Sequence, residues 1–144
     1  MLQVRHHPNH TMVMADGWGY DISRVNIPTC LTAGTGAWDA GNATSKEQAT
    51  DDKSGVAQGI CLLWSLQENY GLLPETVDKV IARKKNVDHG DSYKQFDGYM
   101  TAWFMYYLQG DTNAGAAFAI GGELSANSLY QDVQANILLT LKKT

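Results

Sequence analysis

Two short apolar runs and one long amphipathic run organise the chain. The first run, Asn26 to Ala33, is rich in β-branched residues and closes on Gly34-Thr35-Gly36. It has the length and composition of a buried parallel strand, with Pro28 at its start where a missing N–H is tolerated. The second, Val77 to Ala82, is a weaker strand pattern and leads through Arg83–Val87 into Asp88-His89-Gly90-Asp91. Between them, Val56, Ile60, Leu63 and Leu66 recur at helical spacing and predict a helix over Gly55–Tyr70, with Gly71 as C-cap. The long run, Tyr93 to Leu108, predicts a heavily packed helix, because Phe96, Tyr99, Met100, Trp103, Phe104 and Tyr107 give it a wide apolar face. Gly110 ends it.

The remaining segments carry weaker patterns. Asn42–Ser54 is polar and reads as a surface excursion. Thr112, with Asp111 before it, caps a short predicted helix over Asn113–Ile120, which Gly121-Gly122 stops. A last helix is expected near Tyr130–Leu141. Residues 1–20 read as an irregular leader, with Pro8 interrupting the histidine-rich start and Asp16-Gly17-Trp18-Gly19 as turn chemistry. Residues 21–144 then form one α/β unit in the order strand, helix, strand, helix, helix. A strand–helix–strand unit of this length implies parallel pairing. Two parallel strands do not make a stable sheet, so the expectation is an incomplete α/β domain, its C-terminal part.

Composition narrows the function. The 144 residues carry a formal charge of −4, and the pI is about 5.4. The only cationic clusters are Arg83-Lys84-Lys85 and Lys142-Lys143, which argues against nucleic acid as a partner. No run approaches the ~20 apolar residues of a membrane span. The N-terminus lacks the charged-then-apolar pattern of a signal peptide, and cytoplasmic and exported locations both stay open. Cys30 and Cys61 show no metal-ligand spacing and are expected as buried thiols, with a disulfide as the alternative. His6, His7 and His10 have no carboxylate or cysteine at ligand spacing, so no metal or other cofactor is expected.

The chemistry-bearing residues are Asp39 and His89. Neighbouring parallel strands end on one edge, so the loops after them meet there. Asp39 after the first strand and His89 after the second are thereby expected within reach of one another. A carboxylate behind a histidine fixes its tautomer and stabilises the imidazolium, which is the pairing a nucleophilic triad needs. The order Asp then His is that of the last two triad members in α/β-hydrolases. Asp16, Asp51 and Asp52 are the fallback acids. Trp38, beside Asp39, is the aromatic placed to line an acyl or alcohol pocket. Asp88 and Asp91 flank the histidine. They are expected to solvate the loop, with Asp91 or Ser92 capping the next helix, rather than to hold a metal. The third triad member is missing: no Gly-x-Ser-x-Gly occurs, and Ser45, Ser54, Ser65, Ser92, Ser125 and Ser128 all lack the paired glycines.

Three blocks resemble one family. Ile27-Pro-Thr-Cys-Leu-Thr-Ala-Gly-Thr-Gly-Ala-Trp-Asp39 is similar to the strand and acid turn of bacterial α/β-hydrolases of the dienelactone hydrolase, chlorophyllase and polyester hydrolase group. Val80 to Asp91 resembles their histidine loop, and Asp97 to Asp111 the helix after it. The resemblance spans about Asp21 to Asn136. It implies the last strands and covering helices of a three-layer α/β-hydrolase fold. It also implies a serine hydrolase acting on carboxylic esters, with Asp39 as triad acid and His89 as general base. The expected partner is a small-molecule ester, bound only with a missing N-terminal half that supplies the serine. The rival expectation is a non-catalytic fragment that self-associates, or pairs with another chain, through an exposed sheet edge.

Overall fold

A computed structural model describes residues 3–5, 22–51, 59–89 and 91–137. Its centre is a four-stranded sheet in the order β1 (Gln3–Arg5), β2 (Thr29–Gly34), β3 (Lys79–Lys84), β4 (Tyr130–Asn136). β1, β2 and β3 are parallel, with Cys30 opposite both Val4 and Val80. β4 runs antiparallel to β3. The helices are α1 (Ala37–Ala40), α2 (Lys46–Asp51), α3 (Leu63–Leu72), α4 (Ser92–Gln95), α5 (Asp97–Gln109), α6 (Thr112–Ala116) and α7 (Glu123–Ala126). The chain is therefore a mixed α/β structure.

Alternation along the strands sorts the core onto two faces, because successive side chains of a strand point to opposite sides. Cys30, Val80 and Ala82 join Phe96, Tyr99, Trp103, Phe118, Leu124 and Tyr130 on one face. Leu31, Ala33 and Ile81 join Ile22, Cys61, Leu66 and Leu73 on the other. All six residues of β2 are buried, as the continuous apolar run requires of a strand covered on both sides. The two cysteines are free, buried, and belong to opposite faces, so no disulfide joins them.

β3 begins on a lysine that is 1% exposed. The Lys79 ammonium is held by Leu73 O at 2.8 Å and Glu75 Oε1 at 2.7 Å, and it lies 4.8 Å from the Tyr70 ring centroid. A buried ammonium is tolerated only when its donors are met in this way.

Several expected elements change. Gln3–Arg5, read as irregular leader, pairs with β2 as β1. The polar Asn42–Ser54 excursion contains α2, whose start is capped by Ser45 Oγ accepting from Gln48 N at 3.4 Å and Gln48 Oε1 accepting from Thr44 N at 2.9 Å. Of the helix expected over Gly55–Tyr70, residues 55–58 lie outside the described residues; the described helix runs from Leu63 to Leu72, and its C-cap is Leu73 rather than Gly71. The helix expected over Tyr93–Leu108 is interrupted at Phe96, giving α4 and α5. Gly110 ends α5 in the left-handed conformation, and Asp111 caps α6 through Asn113 N and Ala114 N. Helix α6 stops at Ala116, short of the expected Ile120.

The largest correction is the tail, where Tyr130–Asn136 is a strand and not a helix. A bulge explains the misleading pattern. Pairing shifts by one residue between Ile81 and Arg83, and Asp132 adopts φ 55°. The inserted residue turns a strand's alternation into Tyr130, Val133, Ala135, Ile137, a spacing that no longer has period two.

Candidate active site

The site lies where β2 and β3 end side by side. Gly34 closes β2, and its backbone runs against the loop after β3. A Cβ at Gly34 would sit 2.0 Å from Val87 O, and one at Gly36 2.4 Å from Asp88 Cγ. The two glycines therefore answer to space. They let the turn after β2 touch the turn after β3, through Thr35 N to Lys84 O (3.1 Å), Gly36 N to Val87 O (2.8 Å) and Asn86 N to Thr35 Oγ1 (2.9 Å).

Helix α1 starts from that turn and carries Trp38 and Asp39. Asp39 is 1% exposed. One carboxylate oxygen, Oδ2, accepts from Gly34 N at 2.6 Å; the other, Oδ1, meets His89 Nδ1 at 2.9 Å. A buried carboxylate is costly unless it is hydrogen-bonded, and both of its oxygens are. An ionised carboxylate only accepts, so this contact requires the proton on Nδ1. In the neutral ring Nε2 is then the basic nitrogen. The His89 side chain is 27% exposed, against 1% for Asp39. The ring thus reaches from a buried acid toward the surface.

The backbone around the pair is held from both sides. Ile60 N donates to Trp38 O (2.8 Å) and Cys61 N to Asp39 O (3.0 Å), which ties the end of α1 to the segment before α3. Gly59 permits that approach with φ 74°, and a Cβ there would meet Gly41 N at 2.6 Å. On the other side is Asp88. Its Oδ1 accepts from Asp39 N (3.0 Å) and His89 N (2.8 Å), and its Oδ2 from Trp38 N (3.2 Å). Partial desolvation raises the Asp88 carboxyl. The backbone donors of His89, Trp38 and Asp39, with the His89 charge, outweigh it and hold the group below its ordinary value.

The structure thus brings Asp39 and His89 together and puts Trp38 on the same short helix. The Trp38 indole is 65% exposed. Asp91 does not share the site: its carboxylate is exposed and lies 3.5 Å from Lys94 Nζ. Asp88, expected to solvate its loop, accepts from the backbone of α1 instead. The fallback acids Asp16 and Asp52 lie outside the described residues, as do His6, His7 and His10; the side chain of Asp51 is likewise not described.

Burial also sets the state of the two thiols. Burial pushes the Cys61 thiol up to about 12, with the charge of Asp39 adding to it, and burial alone does the same to Cys30. Neither thiol is a nucleophile near neutral pH. Among the described residues, no three His, Cys, Asp or Glu side chains converge to hold a metal ion. No helix among them is long and apolar enough to cross a membrane.

Sequence reasoning missed Asp88, Gly34 and Gly36 as parts of the site. A signal existed in Gly36, which stands at the N-cap of α1 and offers no capping side chain. No protein-family model and no curated protein matches this chain.

Proposed function

We propose that the chain supplies the acid and base of a Ser-His-Asp triad in an α/β-hydrolase that cleaves carboxylic esters, and that it is the C-terminal part of that fold. The observation that carries this reading is the 2.9 Å contact between a 1%-exposed Asp39 carboxylate and His89 Nδ1, at the shared end of two parallel strands. The α/β architecture, the order of acid and base along the chain and the resemblance of the surrounding blocks support it.

In this reading a serine on polypeptide beyond these residues attacks the ester carbonyl, and His89 Nε2 takes its proton. The tetrahedral intermediate collapses, the same proton passes to the departing alcohol, and the acyl group stays on the serine. His89 then deprotonates a water that attacks the acyl carbon, and the proton returns to the serine as the acid leaves. Asp39 holds the imidazole in its tautomer and stabilises the imidazolium throughout. Trp38, exposed beside Asp39, lines the pocket for the acyl or alcohol group.

The test is labelling with a fluorophosphonate probe. The chain alone takes no label at any serine. Joined to a strand–Gly-x-Ser-x-Gly–helix segment that completes the fold, it directs label to the elbow serine. Label on a serine of the chain alone, or elbow labelling unaffected by His89→Ala, contradicts the reading.

A further inference from the structure

Helix α1 lacks its own cap. Gly36 occupies the N-cap and has no side chain to receive the amides of the next turn. In an ordinary helix start, a Ser, Thr, Asp or Asn at that position accepts from the second and third helical residues. Here those residues are Trp38 and Asp39, and their N–H groups go to Asp88, which arrives from the histidine loop about fifty residues later. The same carboxylate also takes the N–H of His89. One side chain therefore binds the backbone of the acid and the backbone of the base. The space is reserved for it: a Cβ at Gly36 would overlap Asp88 Cγ and lie 2.8 Å from its Cα.

We infer that Asp88 is a positioning residue, a helix cap supplied in trans that sets the distance and angle between Asp39 and His89. The inference rests on the esterase reading for its purpose, but its geometry is independent of it. Asp39 is anchored through Oδ2 to Gly34 N and through its own N–H to Asp88. His89 is anchored through Nδ1 to Asp39 and through its N–H to Asp88. Without the Asp88 carboxylate the backbone N–H groups of Asp39 and His89 lose the acceptor they share, while the hydrogen bonds between the two turns, Thr35 N to Lys84 O and Gly36 N to Val87 O, remain. A charged acceptor at a helix start also matches the positive end of the peptide dipoles there.

The test reads the dyad itself by nitrogen and proton NMR of the full chain, separately from ester cleavage. In the wild type, His89 shows the Nδ1–H tautomer with a slowly exchanging ring proton. Asp88→Asn keeps one acceptor but places an amide group against Trp38 N–H. Its ring proton and the amides of Trp38, Asp39 and His89 exchange about tenfold faster. Asp88→Ala loses the ring-proton signal while the amides of β2 and β3 stay protected. Asp91→Ala, which removes the neighbouring exposed acid, leaves the signal unchanged. An Asp88→Ala protein with an unchanged Nδ1–H signal overturns the inference. So does one that loses the signal only together with protection across β2 and β3. Failure of the fluorophosphonate test with these NMR results intact would remove the esterase reading and leave the trans cap standing.

Discussion

The carboxylate of Asp88 occupies the capping place that Gly36 leaves open, 3.0 Å from Asp39 N and 3.2 Å from Trp38 N. A better local cap should therefore make the protein worse. Gly36 has φ −66°, which any residue adopts, so the penalty for a side chain is one of space alone. Gly36→Ala and Gly36→Ser are each expected to lose about 1–3 kcal/mol, as overpacking typically does. Urea denaturation checks this, with a lower midpoint at unchanged slope. Stabilisation by Gly36→Ser would mean that Asp88 is not the cap.

Gly34 is tighter still. A methyl group there would press on Val87 O at 2.0 Å, across the seam between β2 and the histidine loop, and on Asp39 Oδ2 at 3.0 Å. Backbone cannot move aside as a flexible side chain can. Gly34→Ala is expected to cost about 3 kcal/mol or more, and thermal unfolding reads it as a lower midpoint than that of Gly36→Ala.

Asp39→Asn separates charge from shape. The amide keeps an oxygen for Gly34 N and presents its NH2 to His89, so Nδ1 must become the acceptor. The ring is expected to switch to the Nε2–H tautomer, visible in nitrogen-15 NMR. Stability should fall by about 1–3 kcal/mol through the weakened hydrogen bonds. A retained Nδ1–H tautomer would contradict the contact described for the native pair.

Acid should loosen the molecule at two carboxylates. Desolvation raises Asp132, but hydrogen bonds from Gln131 and Arg83 and the Arg83 charge, with Nη2 2.7 Å away, hold it below its ordinary value. Asp88 is likewise depressed. A depressed folded-state pKa gives stability that is full above the unfolded value, about 4, and is lost as pH falls through the folded value. Wild type should therefore lose stability below about pH 4. Asp132→Asn should cost about 2 kcal/mol at neutral pH, less than a fully buried pair because Asp132 is a quarter exposed. It should also flatten the acid limb. Unfolding midpoints measured from pH 3 to pH 7 decide it; an acid limb as steep as wild type's would exclude Asp132 as a contributor.

Much of this was legible in the sequence, for local reasons. β2 announces itself because all of its side chains are buried, and the Gly-Thr-Gly turn because close backbone approach excludes a Cβ. Asp39 and His89 could be paired in advance because parallel neighbours end together. What was hidden depends on how the chain folds back on itself, over a few residues or over many. Lys79 weakened the β3 pattern because a strand pattern does not show that Leu73 O and Glu75, six and four residues earlier, will receive its ammonium. The bulge at Asp132 disguised β4 as a helix by breaking its alternation. Asp88 looked like a loop acid because caps are sought beside the helix they serve, and this one crosses from another strand's loop.

The central claim is that His89 acts as the base of an acyl-transfer triad. The direct measurement is ester kcat/KM of the chain completed by an elbow-bearing segment, with and without His89→Ala. The account predicts a loss of about 10⁴-fold or more on removing the imidazole, restored in part by added free imidazole, with the complex still assembled. An assembled complex whose kcat/KM is unchanged by His89→Ala would contradict it.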